Sequence, residues 1–219
     1  LLMTVNIVKS GAMFLMLPVM AKLVGPAEYG IYSLALPAVM FVMVIADGGL
    51  GLSLARERDD FSAVWSSAFL ALIVSAFVLM GFLAIYSWVI SPTPISDPKL
   101  LLVTATLSSS ILFSVLAVVP SARLVRDGEM VILAIIDISS FAIGAAGALA
   151  LAMKGFGVWS LVAQIVLISL FRAILTNIRS PTRLRAKLSL SSLRPHVALG
   201  GAVGVARLSD FGGRMGEMY

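Results

Sequence analysis

Residues 130–178 read MVILAIIDISSFAIGAAGALALAMKGFGVWSLVAQIVLISLFRAILTNI, two apolar runs, Met130 to Met153 and Phe156 to Ile178, separated only by Lys154 and Gly155. Each run is close to the roughly 20 residues that cross about 30 Å of hydrocarbon at helical rise. A connection this short requires the two helices to be antiparallel neighbours. The stretch therefore reads as a transmembrane helical hairpin and sets the fold class: all-α, a polytopic membrane helix bundle.

Upstream, four further runs have the same character: Leu1 to Val24, Ala27 to Ala55, Phe61 to Ile90 and Lys99 to Ala122. Six transmembrane helices are expected, and a seventh apolar run starts near Pro195 and is cut off at Tyr219. The chain is 60% hydrophobic and only 12% charged, with a mean hydropathy of +1.05. A soluble domain needs a charged outer face on its helices, so this composition excludes one. The first run starts at residue one without a basic flank or short core, so it does not read as a cleaved signal peptide. Both ends read as truncated, the chain beginning inside its first helix. The expected organisation is a six-helix transmembrane lobe over 1–178, a basic amphipathic linker over 179–194 and the start of a second lobe over 195–219.

Lys and Arg accumulate on cytoplasmic connections. The second, fourth and sixth connections hold Arg56, Arg58, Arg123, Arg126, Arg179, Arg183, Arg185, Lys187 and Arg194, whereas the others hold Lys22, Lys99 and Lys154. Nine against three places the even connections and the N-terminus in the cytoplasm. The net charge of +5 is concentrated in these inner segments, so it reads as topology and not as nucleic-acid binding. Arg183 to Arg194 alternates basic residues with leucines, as expected of a helix lying on anionic membrane lipids.

With the topology fixed, Lys9, Asp47, Asp137 and Arg172 all fall in the cytoplasmic third of the membrane at about 1.5 Å per residue. A charge in hydrocarbon costs roughly 3 kcal/mol on insertion scales, so four at one level need a common explanation. In one reading they pair with each other to hold the bundle, or Lys9 and Arg172 snorkel to the inner headgroups. In the other, Lys9 and Arg172 present positive charge to an anionic substrate in a central cavity, while Asp47 and Asp137 orient them or keep the cavity hydrated.

Three glycines, Gly48, Gly49 and Gly51, follow Asp47 and weaken the second helix there. They are hinge candidates, or a site of close helix packing. Ser140, Gly144, Ala148 and Ala152, spaced by four, form a face of small residues for close packing. The hydroxyls of the third and fourth helices, from Ser66 to Ser114, are expected mostly to back-bond within their own helices. Pro18 and Pro37 fall inside spans, where neighbours must satisfy the freed carbonyls. Tyr29-Gly30-Ile31-Tyr32-Ser33-Leu34 is echoed by Phe156-Gly157-Val158-Trp159-Ser160-Leu161. The echo fits either an internal duplication or a shared solution for an aromatic anchor at the outer interface.

Leu23 to Leu34, with Ala46-Asp47-Gly48-Gly49-Leu50-Gly51, resembles the first two helices of bacterial Wzx-type polysaccharide flippases of the multidrug/oligosaccharidyl-lipid/polysaccharide exporter superfamily. Ile136 to Ser140 and Gly155 to Gln164 resemble helices five and six of the same group, and Arg207, Asp210, Arg214 and Glu217 resemble its polar seventh helix. The resemblance implies two six-helix lobes that move an undecaprenyl-pyrophosphate-linked oligosaccharide across the bacterial inner membrane by alternating access. It implies no cofactor. Its partners would be the lipid-linked oligosaccharide, membrane lipids, and the polysaccharide polymerase and chain-length machinery. Arg207, Asp210 and Arg214 would join Lys9, Asp47, Asp137 and Arg172 around the substrate.

Two other functions compete with this one. A cation-coupled drug antiporter of the same superfamily would use Asp47 or Asp137 as an ion site, but cationic substrates favour a negative cavity. A membrane-embedded glycan polymerase or glycosyltransferase needs a larger extramembrane loop than this chain has. There is no cysteine, and the one histidine, His196, lies near a helix start, so neither thiolate nor metal chemistry is expected and no residue is assigned a catalytic role.

Overall fold

A computed structural model describes residues 11–12, 14, 16, 18–47, 49–55, 62–90 and 98–181. Residues 18–24 are helical. Six helices follow: α1 Pro26–Asp47, α2 Leu50–Ala55, α3 Ser62–Ile90, α4 Pro98–Arg126, α5 Met130–Met153 and α6 Val158–Arg179. Five of them, all but α2, are long and apolar enough to cross a membrane. The described residues are an all-α polytopic bundle, as the lengths of the apolar runs lead one to expect. The expected seventh helix and the linker beyond Pro181 lie outside the described residues.

The helix starts follow local chemistry. Pro26 and Pro98 occupy the first helical position of α1 and α4, where a missing N–H costs nothing and φ is already set for the helix. Within α4, Val103, Leu107, Ile111, Val115 and Val119 recur every fourth residue and are all buried. Half of the apolar window of α4 is buried, against 22% to 33% in the other spans, so α4 is the axis on which α1, α2, α3 and α6 pack. Along α3, Val74, Phe77, Val78, Phe82 and Ile85 point outward, an apolar face matched to lipid.

Two span boundaries are corrected. The second span is not one helix to Ala55: α1 ends at Asp47, Gly49 takes a φ of +68°, and α2 restarts at Leu50. Gly49 adopts the left-handed backbone cheaply, whereas any Cβ would crowd the following carbonyl. The fourth span does not stop at Ala122 either. Helix α4 continues to Arg126 because a helix keeps its backbone bonds beyond the hydrocarbon, and here the guanidinium groups of Arg123 and Arg126 lie 5.0 and 5.2 Å from the ring centre of buried Trp65. At this end of the bundle Asp127 pairs with Arg126 at 3.2 Å and Glu129 with Arg179 at 2.8 Å.

The small-residue face behaves as expected. Ser140, Gly144, Ala148 and Ala152 are buried, and a Cβ on Gly144 would collide with the Ile168 side chain and stand 3.0 Å from the Gln164 carbonyl oxygen. The pairs Glu129–Arg179, Asp137–Arg172 and Gly144–Ile168 step along one antiparallel register folded at the turn 154–157. Back-bonding holds for Ser75, Thr104, Thr106, Ser108, Ser109 and Ser110, each donating to a carbonyl three or four residues earlier.

Contacts sort the helix ends into two layers. At one end Arg123, Arg126, Glu129 and Arg179 gather around Trp65 and Pro181. At the other, Glu28 joins α1 to α4 and α6: one carboxylate oxygen accepts from Lys99 Nζ at 2.7 Å and the other from the Val158 backbone N–H at 2.9 Å. The echoed hexapeptides share this second layer and one hydrogen bond, Ser33 to the Gly30 carbonyl at 2.8 Å and Ser160 to the Gly157 carbonyl at 2.6 Å.

Candidate functional site

Between α1, α2, α4, α5 and α6 lies a cavity of about 630 Å³. Its walls are largely apolar: Met40 and Met43 from α1, Ala55 from α2, Val118 and Val125 from α4, and Leu133 from α5. Val125 and Leu133 sit beside Arg126 and Met130, so the cavity reaches the basic end of the bundle. The broken second span contributes directly, because Gly51 lines the cavity one residue after α2 begins.

Arg172 supplies the charge. Among the described lining residues it alone is ionisable. Seven residues before Arg179, it stands level with Asp137, seven residues after Met130, about 10 Å from the basic ends of α6 and α5. The antiparallel register brings them together, with Arg172 Nε 2.9 Å from Asp137 Oδ1. The Nε–H makes no aligned hydrogen bond despite that distance, so the contact is Coulombic and its directional part is unused. Both side chains keep an open edge, 39% exposed for Arg172 and 28% for Asp137, which leaves the guanidinium able to meet a second anion. Its Nη1 and Nη2 carry four N–H donors beyond the Nε contact.

Of the residues singled out from sequence, the fold thus joins Asp137 and Arg172 and puts Arg172 on the cavity. Asp47 closes α1 at the helix break, and its side chain lies outside the described residues. Lys9, Gly48, Arg207, Asp210 and Arg214 lie outside them altogether. Gly49 is the left-handed residue of the break and Gly51 a cavity residue.

Four residues escaped the sequence reading. Pro120, inside α4, has no N–H for the Leu116 carbonyl, and Asn177 of α6 donates to that oxygen at 3.0 Å. A proline inside a span and an amide on another is the signal that would have found the pair. Ser121, the next residue, lines the cavity, and its buried hydroxyl has no hydrogen-bond partner among the described residues. Glu28 was visible only as a helix-opening acid, a role it shares with many surface residues.

Apolar spanning helices around a cavity with the Arg172 cation on its described wall define a polytopic membrane protein with a charged internal site. Residues 19–216 match the family described as "Polysaccharide biosynthesis protein", and the chain belongs to that family. It is 28% identical over 162 residues to the succinoglycan biosynthesis transport protein ExoT of Rhizobium meliloti (strain 1021), an alignment covering 74% of this chain and 33% of that relative. The chain therefore spans about a third of the length of the curated relative it matches. No solved structure matches it.

Proposed function

We propose that the chain forms the first lobe of an exporter in polysaccharide biosynthesis, one that flips an undecaprenyl-pyrophosphate-linked oligosaccharide from the cytoplasmic to the outer leaflet of a bacterial inner membrane. The observation that carries this reading is Arg172, a cation on the wall of an otherwise apolar cavity, held by Asp137 with its terminal nitrogens uncommitted to that contact. A guanidinium in a low-dielectric wall binds phosphate oxygens strongly, and its fork suits two of them at once. The apolar remainder suits the first isoprene units. Membership of a polysaccharide biosynthesis family supports the substrate class, and the transport name of the relative supports movement over chemistry.

The basic layer of Arg123, Arg126 and Arg179 is the cytoplasmic one in this reading, which puts the cavity mouth toward the inner leaflet and the N-terminus inside. The second lobe would come from helices after α6, and Arg207, Asp210 and Arg214 would face Arg172 from there, with Lys9 and Asp47 completing the level. Polymerase and chain-length proteins would receive the product. A cation-coupled antiporter is less well served, because the Asp137 carboxylate already has a cationic partner.

The test is accumulation of lipid-linked intermediates on the inner leaflet of cells carrying Arg172→Gln or Lys9→Ala. Normal expression with intermediates retained inside is the expected result. Unchanged export in both variants would overturn the cavity reading.

A further inference from the structure

Every hydroxyl on α4 from Thr104 to Ser110 donates to its own helix: Thr104, Thr106, Ser108, Ser109 and Ser110 all back-bond at 2.6 to 2.8 Å. Ser121 departs from this habit. Its oxygen is buried and unpartnered among the described residues, although the carbonyls of Ala117 and Val118 lie at the usual back-bonding spacing, and the residue is one of those lining the cavity that Arg172 also lines. A buried O–H without an acceptor is a standing cost, since it has given up water and gained nothing. Helix geometry does not force that cost, because a rotation about χ1 normally brings a serine hydroxyl onto its i−3 or i−4 carbonyl. Alanine would fill the position more cheaply.

Ser121 is also held unusually firmly. It follows Pro120, and the carbonyl that Pro120 frees is taken by Asn177 of α6, five residues from Arg172 on the same helix. One interhelical bond therefore fixes both the backbone that presents the hydroxyl and the helix that presents the guanidinium. A cation with free donors and an unpartnered O–H donor on two walls of one cavity make a two-point site for an oxyanion.

We infer that Ser121 is a substrate-contacting residue that donates its hydroxyl to a phosphate oxygen while Arg172 binds the same group through its charge. This inference rests on the anionic-lipid reading of the cavity and extends it to a specific hydrogen bond. The ligand is a phosphate ester or anhydride, from either a polyprenyl pyrophosphate or free pyrophosphate. Ser121 sets its position, and Arg172 most of its affinity.

The test uses the full chain in detergent, with farnesyl pyrophosphate, inorganic pyrophosphate and farnesol as probes. Ser121→Ala is expected to weaken farnesyl pyrophosphate binding about tenfold, the effect of losing one hydrogen bond to a charged acceptor. Ser121→Thr, which keeps the hydroxyl, should retain most of the affinity, and farnesol binding should respond to neither change. Thermal stability of Ser121→Ala should equal or exceed that of the unmodified chain, because no native hydrogen bond is removed. Comparable binding of inorganic pyrophosphate would identify the free anion as sufficient, and preference for the farnesyl ester would identify the lipid-linked head.

Unchanged farnesyl pyrophosphate affinity in Ser121→Ala, beside a loss in Arg172→Gln, overturns the role of Ser121 and leaves the cavity reading standing. Unchanged affinity in both variants, or no saturable binding by the unmodified chain, overturns both readings. A lower melting temperature in Ser121→Ala with equal losses for all three probes marks a packing residue and overturns the inference.

Discussion

In the α5–α6 hairpin a four-residue turn, 154–157, a face of buried small residues and two ion pairs hold two unbroken helices in one register. The α1–α2 pair reaches the same cavity from the other side with a backbone interrupted between Asp47 and Leu50. One wall is zipped along its length, and the other is jointed at the depth of the cavity. The difference teaches that close packing and backbone freedom are separated here, with glycine used for opposite purposes. Gly144 lets two helices touch, whereas Gly49 lets one helix stop and restart.

The sharpest way to break the comparison is to spoil the zipped side. Gly144→Leu drives a side chain into Ile168 and the Gln164 carbonyl, and should destabilise the bundle by about 3 kcal/mol. The check is the yield of monodisperse protein and its thermal unfolding. On the jointed side, Gly49→Ala must place a Cβ at positive φ, a strain of about 1 to 2 kcal/mol that the joint can relieve by straightening. The expected outcome is a smaller loss of stability than in Gly144→Leu but a larger change in the proposed export activity. Equal effects of the two glycine changes on both readouts would remove the distinction between walls.

Weaker effects sharpen it. A double-mutant cycle of Asp137→Asn and Arg172→Gln should give a coupling of about 1 kcal/mol, because the pair is close but partly open and not directionally bonded. Asn177→Ala, leaving the Leu116 carbonyl unfilled beside Pro120, should cost about 0.6 kcal/mol, the average for a polar contact between membrane helices. Asn177→Asp should not rescue it, because a carboxylate has no donor for that carbonyl.

Much of the zipped wall was legible in the sequence. Span length fixed the two helices, the short connection made them antiparallel neighbours, and depth put Asp137 and Arg172 at one level, while their pairing is shown by the structure. The face of Ser140, Gly144, Ala148 and Ala152 could be read because helical period is a local property. The joint was half legible: three glycines marked the place, but a run of apolar residues on both sides read as one span to Ala55. What stayed hidden depends on partners distant in sequence. Nothing near Pro120 points to Asn177, and nothing near Ser121 shows that its hydroxyl breaks the habit of its helix, because that departure is visible only in the side-chain rotamer. The end of α4 was misplaced for a related reason, since Arg123 and Arg126 look like loop residues until Trp65 is found beneath them.

Glu28 accepts the Val158 N–H across a separation of 130 residues, so the first turn of α1 completes the first turn of α6. During synthesis these are the earliest and the latest of the described spanning helices to leave the ribosome. Before α6 arrives Glu28 can already pair with Lys99, and when α6 arrives its N-terminal dipole finds a carboxylate in place. A Cβ on Gly157 would lie 2.9 Å from that carboxylate, so glycine keeps the docking position clear. The bond is thus a report of completed insertion, made only after all the intervening helices have found their places.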